Sequence, residues 1–283
     1  MQTFHTPEPI TAVIDVALGA VHLIASDRTD TVVTVNPSDR TREADVEAAE
    51  KTRIEHDSDG LAVRGHAPSG LGKLVGPSSR SGWVSVVIEL PAGSDVEVDA
   101  QVGDVRADGR LGEVRVKTNG EIRCDDTGPA RLETRAGAVT LGRAGGRVTV
   151  VAAGEVRITA VQGEAEVKNL NGRTWIGEVT GELRVRSSNS DITIGRTHGP
   201  IEARTANGAI SVGEVTGGRI NLATGSGQVD VGIHAGTAAW VDAHSRFGRI
   251  TRDLDDAHGP GDDGATAEIR ARTSFGDIAI HRA

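Results

Sequence analysis

The chain of 283 residues has no tyrosine, one methionine, one cysteine, three phenylalanines and three tryptophans, so aromatic residues make up only 2% of it. A globule of this length ordinarily fills its centre with Phe, Leu, Met and Trp. That kind of thick core is excluded here. The lone Cys124 rules out an internal disulfide and, alternating with Ile122, reads as a small core residue. No apolar run approaches the roughly eighteen residues that a membrane helix needs. The opening stretch MQTFHTPEPITAVIDVALGAV lacks a basic leader region, so the expectation is a cytoplasmic protein. Excess positive charge is missing too. A net charge of -9 and a pI near 5.5 argue against nonspecific binding to nucleic acid or anionic lipid.

What the sequence has in plenty is glycine, 37 residues of it, set among Val, Ile, Ala and Thr. Small β-branched side chains suit a thin core made by short stacked strands. The glycines are periodic. A small residue that precedes a Val or Ile by two places recurs at Gly103, Gly120, Gly137, Gly154, Gly172, Ser190, Gly208, Gly227, Gly248 and Gly276. The spacings are 17, 17, 17, 18, 18, 18, 19, 21 and 28 residues, a near-constant return that loosens toward the C-terminus. Such a return, with late insertions, is the mark of a solenoid.

Each unit reads as strand, corner, strand, corner. After the anchors come alternating pairs such as Val139/Leu141, Val156/Ile158, Ile192/Ile194 and Ile210/Val212. Before them come Val148/Val150, Leu183/Val185, Ile201/Ala203 and Ile220/Leu222. Period-two alternation makes a half-buried strand with one face inward. One such hairpin cannot bury its apolar face, so copies have to stack, as a parallel solenoid or as an antiparallel meander.

The corner residues separate the two. Asn171, Asn189 and Asn207 stand before consecutive anchors. Parallel stacking puts them in one column roughly 4.8 Å apart, where each amide can bond the next. An isolated Asn-Gly hairpin turn explains the dipeptide, but not the constant return. The expected fold is therefore all-β: a single-stranded parallel β-solenoid (β-helix) of about ten coils, right-handed by the general rule for parallel crossovers. Residues 1–92 depart from the period and read as an irregular β-rich cap, with one short helix over residues 42–53 (READVEAAEKTR). Residues 93–283 form the solenoid, with an acidic loop insertion at 253–264. Residues 68–82 (PSGLGKLVGPSSRSG) read as a loop.

The repeated G-x-[VI]-x-[VI] units, the ELPAGSDVEV strand and the closing TSFGDIAI resemble the bacterial β-strand-repeat proteins that carry the family label "putative adhesin". That family is largely a domain of unknown function. The resemblance spans nearly the whole chain and implies the solenoid fold. It implies no catalytic or ligand residues.

Tests for chemistry return little. The nine histidines form no H-x₃-H, H-E-x-x-H or Cys/His cluster, so neither a metal site nor a cofactor is expected. The nearest grouping is His234, Asp242 and His244 beside Trp240, which also reads as ordinary exposed polarity. The acidic 253–264 segment lacks the spacing of an EF-hand or a calcium-binding β-roll. No nucleophile elbow, phosphate loop or Rossmann fingerprint occurs in context.

The columns are more informative. Four places before successive anchors stand Lys168, Arg186 and Arg204; six places before stand Glu166, Arg184 and Glu202. Stacked cations repel unless the glutamates or a bound anion compensate. Simple compensation is one reading, and an anion- or partner-binding stripe is the other. Alternation places the Trp175 indole outward, where it serves either as a contact residue or as packing beneath a loop.

Three functions follow. The first is a noncatalytic scaffold that presents flat solenoid faces to a protein or polymer partner through Lys168, Arg186, Arg204 and Trp175. The second is a self-assembling homo-oligomer or filament, motivated by an exposed final strand at residues 278–280. The third is a carbohydrate-active β-helix enzyme, for which no carboxylate pair emerges.

Overall fold

The stacking of alternating strands can be followed coil by coil in a computed structural model, which describes residues 1–58, 60–65, 82–254 and 265–283. The interior of the 68–82 loop and nearly all of the acidic 253–264 segment lie outside the described residues. The chain divides into two compact units, Met1–Leu141 and Gly142–Ala283.

In the second unit every coil contributes one strand to each of two sheets. The leading sheet holds the strands that come before each corner: Val148–Ala152, Ala165–Asn171, Leu183–Asn189, Ile201–Asn207, Gly218–Ser226, Thr266–Phe275 and Ala238–Phe247. The following sheet holds Val156–Val161, Thr174–Val179, Ile192–Thr197, Ile210–Val215, Val229–Ile233, Ile278–Arg282 and Ile250–Asp253. All of these pairings are parallel, so the meander is excluded. Between the sheets Val167, Leu183, Val185, Ile176, Ile192 and Ile194 are fully buried. Each such side chain contributes about 1.5–3 kcal/mol. This is how a chain nearly without aromatics stabilises a core: many small side chains in a thin layer.

The corners carry a second interior device. Thr205 Oγ1 donates to Ser190 O at 3.2 Å, Thr224 to Gly208 O at 2.8 Å and Thr273 to Gly227 O at 2.9 Å. A sharp corner turns its carbonyl away from the ladder, and a buried carbonyl needs a donor. The threonine one coil on supplies it.

The coils are not stacked in sequence order. Gly218–Ser226 pairs with Thr266–Phe275, which in turn pairs with Ala238–Phe247. Likewise Ile278–Arg282 lies between Val229–Ile233 and Ile250–Asp253. The expectation that residues 278–280 form an exposed final strand is therefore overturned: Ile278 and Ile280 are buried, with a paired strand on each side. At this end of the second unit, among the described residues, the free edges belong to Ala238–Phe247 and Ile250–Asp253. The physical reason is in the register. Arg252 is aligned with buried Ile280, so it occupies a core column. A charge there is affordable only on an end coil, open to water.

In the first unit Thr11–Ser26 crosses from one sheet to the other. Its first half pairs in parallel with Gly60–Arg64 and Asp95–Val102, its second with Val84–Pro91 and Val105–Arg110. The crossing lies at Gly19, whose carbonyl oxygen would sit 1.8 Å from a Cβ on Gly103. Further coils follow through Val114–Thr118, Ile122–Thr127 and Ala130–Thr134. Thr118 and Thr134 bond the corner carbonyls of Gly103 and Gly120 at 2.5 and 2.7 Å. Cys124 is buried as expected, and burial, with Asp125 adding, pushes its thiol up to about 12.

Antiparallel strands finish both sheets of this unit. Arg53–Asp57 runs against Gly60–Arg64, while Gln2–His5 and Asp30–Pro37 continue outward from Val84–Pro91. The one helix among the described residues, Glu43–Lys51, is pinned by buried Asp45, which accepts from Asp39 N at 3.1 Å and Trp83 N at 3.0 Å.

Candidate binding face

The outer face of the leading sheet in the second unit collects the polar columns. Strands Ala165–Asn171, Leu183–Asn189 and Ile201–Asn207 send every second residue to solvent, and parallel register stacks equivalent positions. Lys168 aligns with Arg186 and Arg186 with Arg204; beside them Glu166, Arg184 and Glu202 align in the same way. Asn171, Asn189 and Asn207 form a third column at the corner. Asn207 Nδ2 donates to Asn189 Oδ1 at 2.9 Å, and Asn189 Nδ2 to Asn171 Oδ1 at 3.4 Å.

Charges on this face are interleaved rather than segregated. Lys168 pairs with Glu166 at 2.8 Å, Arg184 with Glu182 at 2.7 Å and Arg204 with Glu202 at 3.2 Å. Arg186 has only a long contact to the same Glu202, at 3.8 Å. Glu202 thus serves two guanidinium groups. The Lys168 ammonium, by hydrogen bond and charge, holds the Glu166 carboxyl below its ordinary range, with Arg186 and Arg184 adding to it. All three stripe cations are largely exposed, so these pairs contribute little stability. They leave guanidinium edges open to a ligand.

The basic column continues past the three cations through Ala223 to Arg272 and then His244. Arg272 is missed by counting coils in chain order, because its strand slips in ahead of Ala238–Phe247. The available signal was its place four residues before Gly276.

Trp175 is not part of this face. Its strand belongs to the following sheet, where the indole lies between Arg157 and Thr193 and half-buried. The Arg157 guanidinium carbon lies 5.0 Å from the ring centroid. Trp240 is on the leading sheet, 57% exposed, with Arg270 at 5.9 Å from its ring. It lines a shallow open groove of about 670 Å³ with Ala238, Ala239, Thr266, Glu268 and Arg270.

The histidines go to separate carboxylates. His198 bonds Glu178 at 2.8 Å, His234 bonds Glu214 at 2.5 Å and His22 bonds Asp108 at 2.7 Å. His234, with Arg196 adding, holds the Glu214 carboxyl below its usual range. Asp242 faces Arg272 at 3.8 Å, so the His234, Asp242 and His244 grouping is not assembled as one cluster. Among the described residues no group of three or more His, Cys, Asp or Glu is arranged to hold a metal ion. Among them, too, no helix is long and apolar enough to cross a membrane.

No protein of curated function matches the chain. Among solved structures, a "putative cell adhesion protein" from Clostridium sporogenes ATCC 15579 aligns over 100% of this chain and 98% of its own, at 8% identity and a TM-score of 0.19. That score defines no common geometry. The model of the Toastrack DUF4097 family matches residues 13–281, so the solenoid and its stacked columns are those of a family member: the chain belongs to the Toastrack DUF4097 family.

Proposed function

We propose that this protein is a noncatalytic binding scaffold, cytoplasmic in its setting, which offers the outer face of its leading sheet to an acidic protein or polymer partner. The observation that carries the reading is the register of Lys168, Arg186 and Arg204 with one shared carboxylate, Glu202, for the latter two. A parallel sheet holds these cations at a spacing of roughly 4.8 Å without spending side-chain order on it. A partner with regularly spaced anions meets three charge-assisted contacts on one rigid surface. Residues 1–92 act in this reading as the cap, supported by the antiparallel strands that finish the sheets there.

The test is affinity capture from native lysate with the wild-type chain and with the triple variant Lys168→Ala, Arg186→Ala, Arg204→Ala. The expected result is loss of the captured partner at unchanged fold, with capture by the parent weakening as salt rises. Retention of every partner by the triple variant overturns the stripe. Trp175→Ala is a separate test, because that side chain stands on the other sheet; it is expected to leave stripe-dependent capture unchanged. Cell fractionation tests the compartment.

A further inference from the structure

Ala238–Phe247 is a ten-residue strand paired on one side only among the described residues. Ala238 N donates to Ala265 O at 3.0 Å. In a parallel ladder that pattern turns the even-numbered backbone groups toward Thr266–Phe275 and leaves those of Ala239, Val241, Ala243 and Ser245 directed out of the edge. The same residues stand in core columns, aligned with Ala267, Ile269, Ala271 and Thr273, all of which are buried. They are themselves only partly covered, and neighbouring Ile250 is 38% exposed. The strand contains no proline or bulge that would blunt such an edge.

The geometry points to a second copy of this chain as the occupant, joined edge to edge and antiparallel about a two-fold axis through Ala243. Residues directly opposite in an antiparallel pair share a face, so the axis falls on one residue near the strand's middle. An axis at Asp242 sets that carboxylate against its own copy, which is repulsive. An axis at His244 sets two imidazoles face to face and shortens the paired segment. An axis at Ala243 uses nearly the full strand. It sets Asp242 opposite His244 of the second copy, and Trp240 opposite Arg246, and by symmetry it does each twice. A carboxylate accepting from an imidazole N–H and an Arg–Trp contact are cross-strand pairs that stabilise. Both fall at the non-hydrogen-bonded positions, where side chains come closest. The contact is made by the leading sheet alone, covering Val241, while Ile250–Asp253 stays apart from its copy so that Arg252 in the core column keeps its access to water. An isologous contact consumes the edge that makes it, so assembly stops at two copies instead of running on as a filament.

Sedimentation velocity of the full chain over a wide concentration range tests this. The expected result is a monomer–dimer equilibrium with no larger species. Ala243→Pro removes an N–H that faces solvent in the monomer, a place where edge strands tolerate proline. It is expected to weaken dimerisation by about tenfold or more, since it removes two symmetry-related hydrogen bonds at the axis. Asp242→Lys weakens it by replacing the acceptor of the imidazole N–H with a second donor, and the double change Asp242→Lys with His244→Glu restores it by setting an ammonium opposite a carboxylate. Circular dichroism checks the fold; should Ala243→Pro unfold, the charge swap decides. A chain that stays monomeric, one that grows beyond two copies, or a dimer indifferent to the charge reversal overturns the proposal. The stripe is tested by other residues, so either inference can fail without the other.

Discussion

Phe247 and Phe275 stack with their ring centroids 5.1 Å apart and their planes 9° apart, yet the earlier residue lies on the outer coil. Their strands are aligned in parallel, and the later strand is the one covered on both sides. The contact marks a reversal of coil order. The last coil in the chain is inserted beneath the one that precedes it.

The coil order has a sharp consequence for two aligned residues. Ile280→Arg places an unpaired charge in a closed core and is expected to cost more than about 4 kcal/mol. Arg252→Ile, in the same column on the open coil, is expected to fall within about 0.5 kcal/mol of wild type or to stabilise. Urea unfolding of the two variants checks this. Equal effects would mean that the coils stack in sequence order after all.

The two polar ladders differ in burial and so in worth. Thr224→Val keeps the shape but strips the donor from the corner carbonyl of Gly208, now 2.8 Å from the hydroxyl. A loss of about 1–3 kcal/mol is expected. Asn189 bonds two neighbours in its column, but on an exposed corner. Asn189→Ala is expected to cost about 1 kcal/mol or less, because water takes over the freed groups. The ranking, Thr224 above Asn189, is read from denaturation midpoints.

Corner glycines are needed for two separable reasons. Gly227 has φ at 150°, and a Cβ there would lie 2.1 Å from Gly208 O. Gly236 has φ at 90° with nothing within 4 Å of the added atom. Gly236→Ala therefore costs only the backbone strain, about 1–2 kcal/mol. Gly227→Ala adds a clash with backbone that the stack cannot relieve, and it is expected to lower the melting temperature markedly more.

His281 should make stability depend on pH. Its Nδ1 lies 2.8 Å from Arg282 O, and its Nε2 lies 3.4 Å from an Asp230 carboxylate oxygen. The Arg282 carbonyl raises the imidazole above its ordinary 6.5, partial burial opposes this, and Asp230 adds to the rise. A group whose folded value is raised contributes fully below its unfolded value and loses that contribution as pH rises through the folded one. The window is therefore just above 6.5. Wild type is expected to lose stability relative to His281→Gln as pH rises past 6.5, measured as the urea midpoint at each pH. Parallel profiles would remove His281 from the account.

Everything that repeats locally was legible in the order of residues. Alternation set which side chains face inward, because a strand has period two. The return of 17 to 18 residues set which residues become neighbours, so Lys168, Arg186 and Arg204, and likewise Asn171, Asn189 and Asn207, could be placed in columns before any coordinates. The T-x-G and T-x-x-G spacing of Thr118, Thr134, Thr205, Thr224 and Thr273 was equally present, but its meaning depends on a carbonyl one coil away. Three matters were left to the tertiary structure. Trp175 and the basic stripe lie on different sheets, because a corner between them turns the chain. Arg272 joins the basic column, because its strand is inserted out of order. And residues 278–280 are interior while Ala238–Phe247 is the edge. Chain order is silent on this last choice, since either coil could stack next. What decides it is which coil can bear water on one side, and Arg252 in a core column gives that place to the coil that precedes the last.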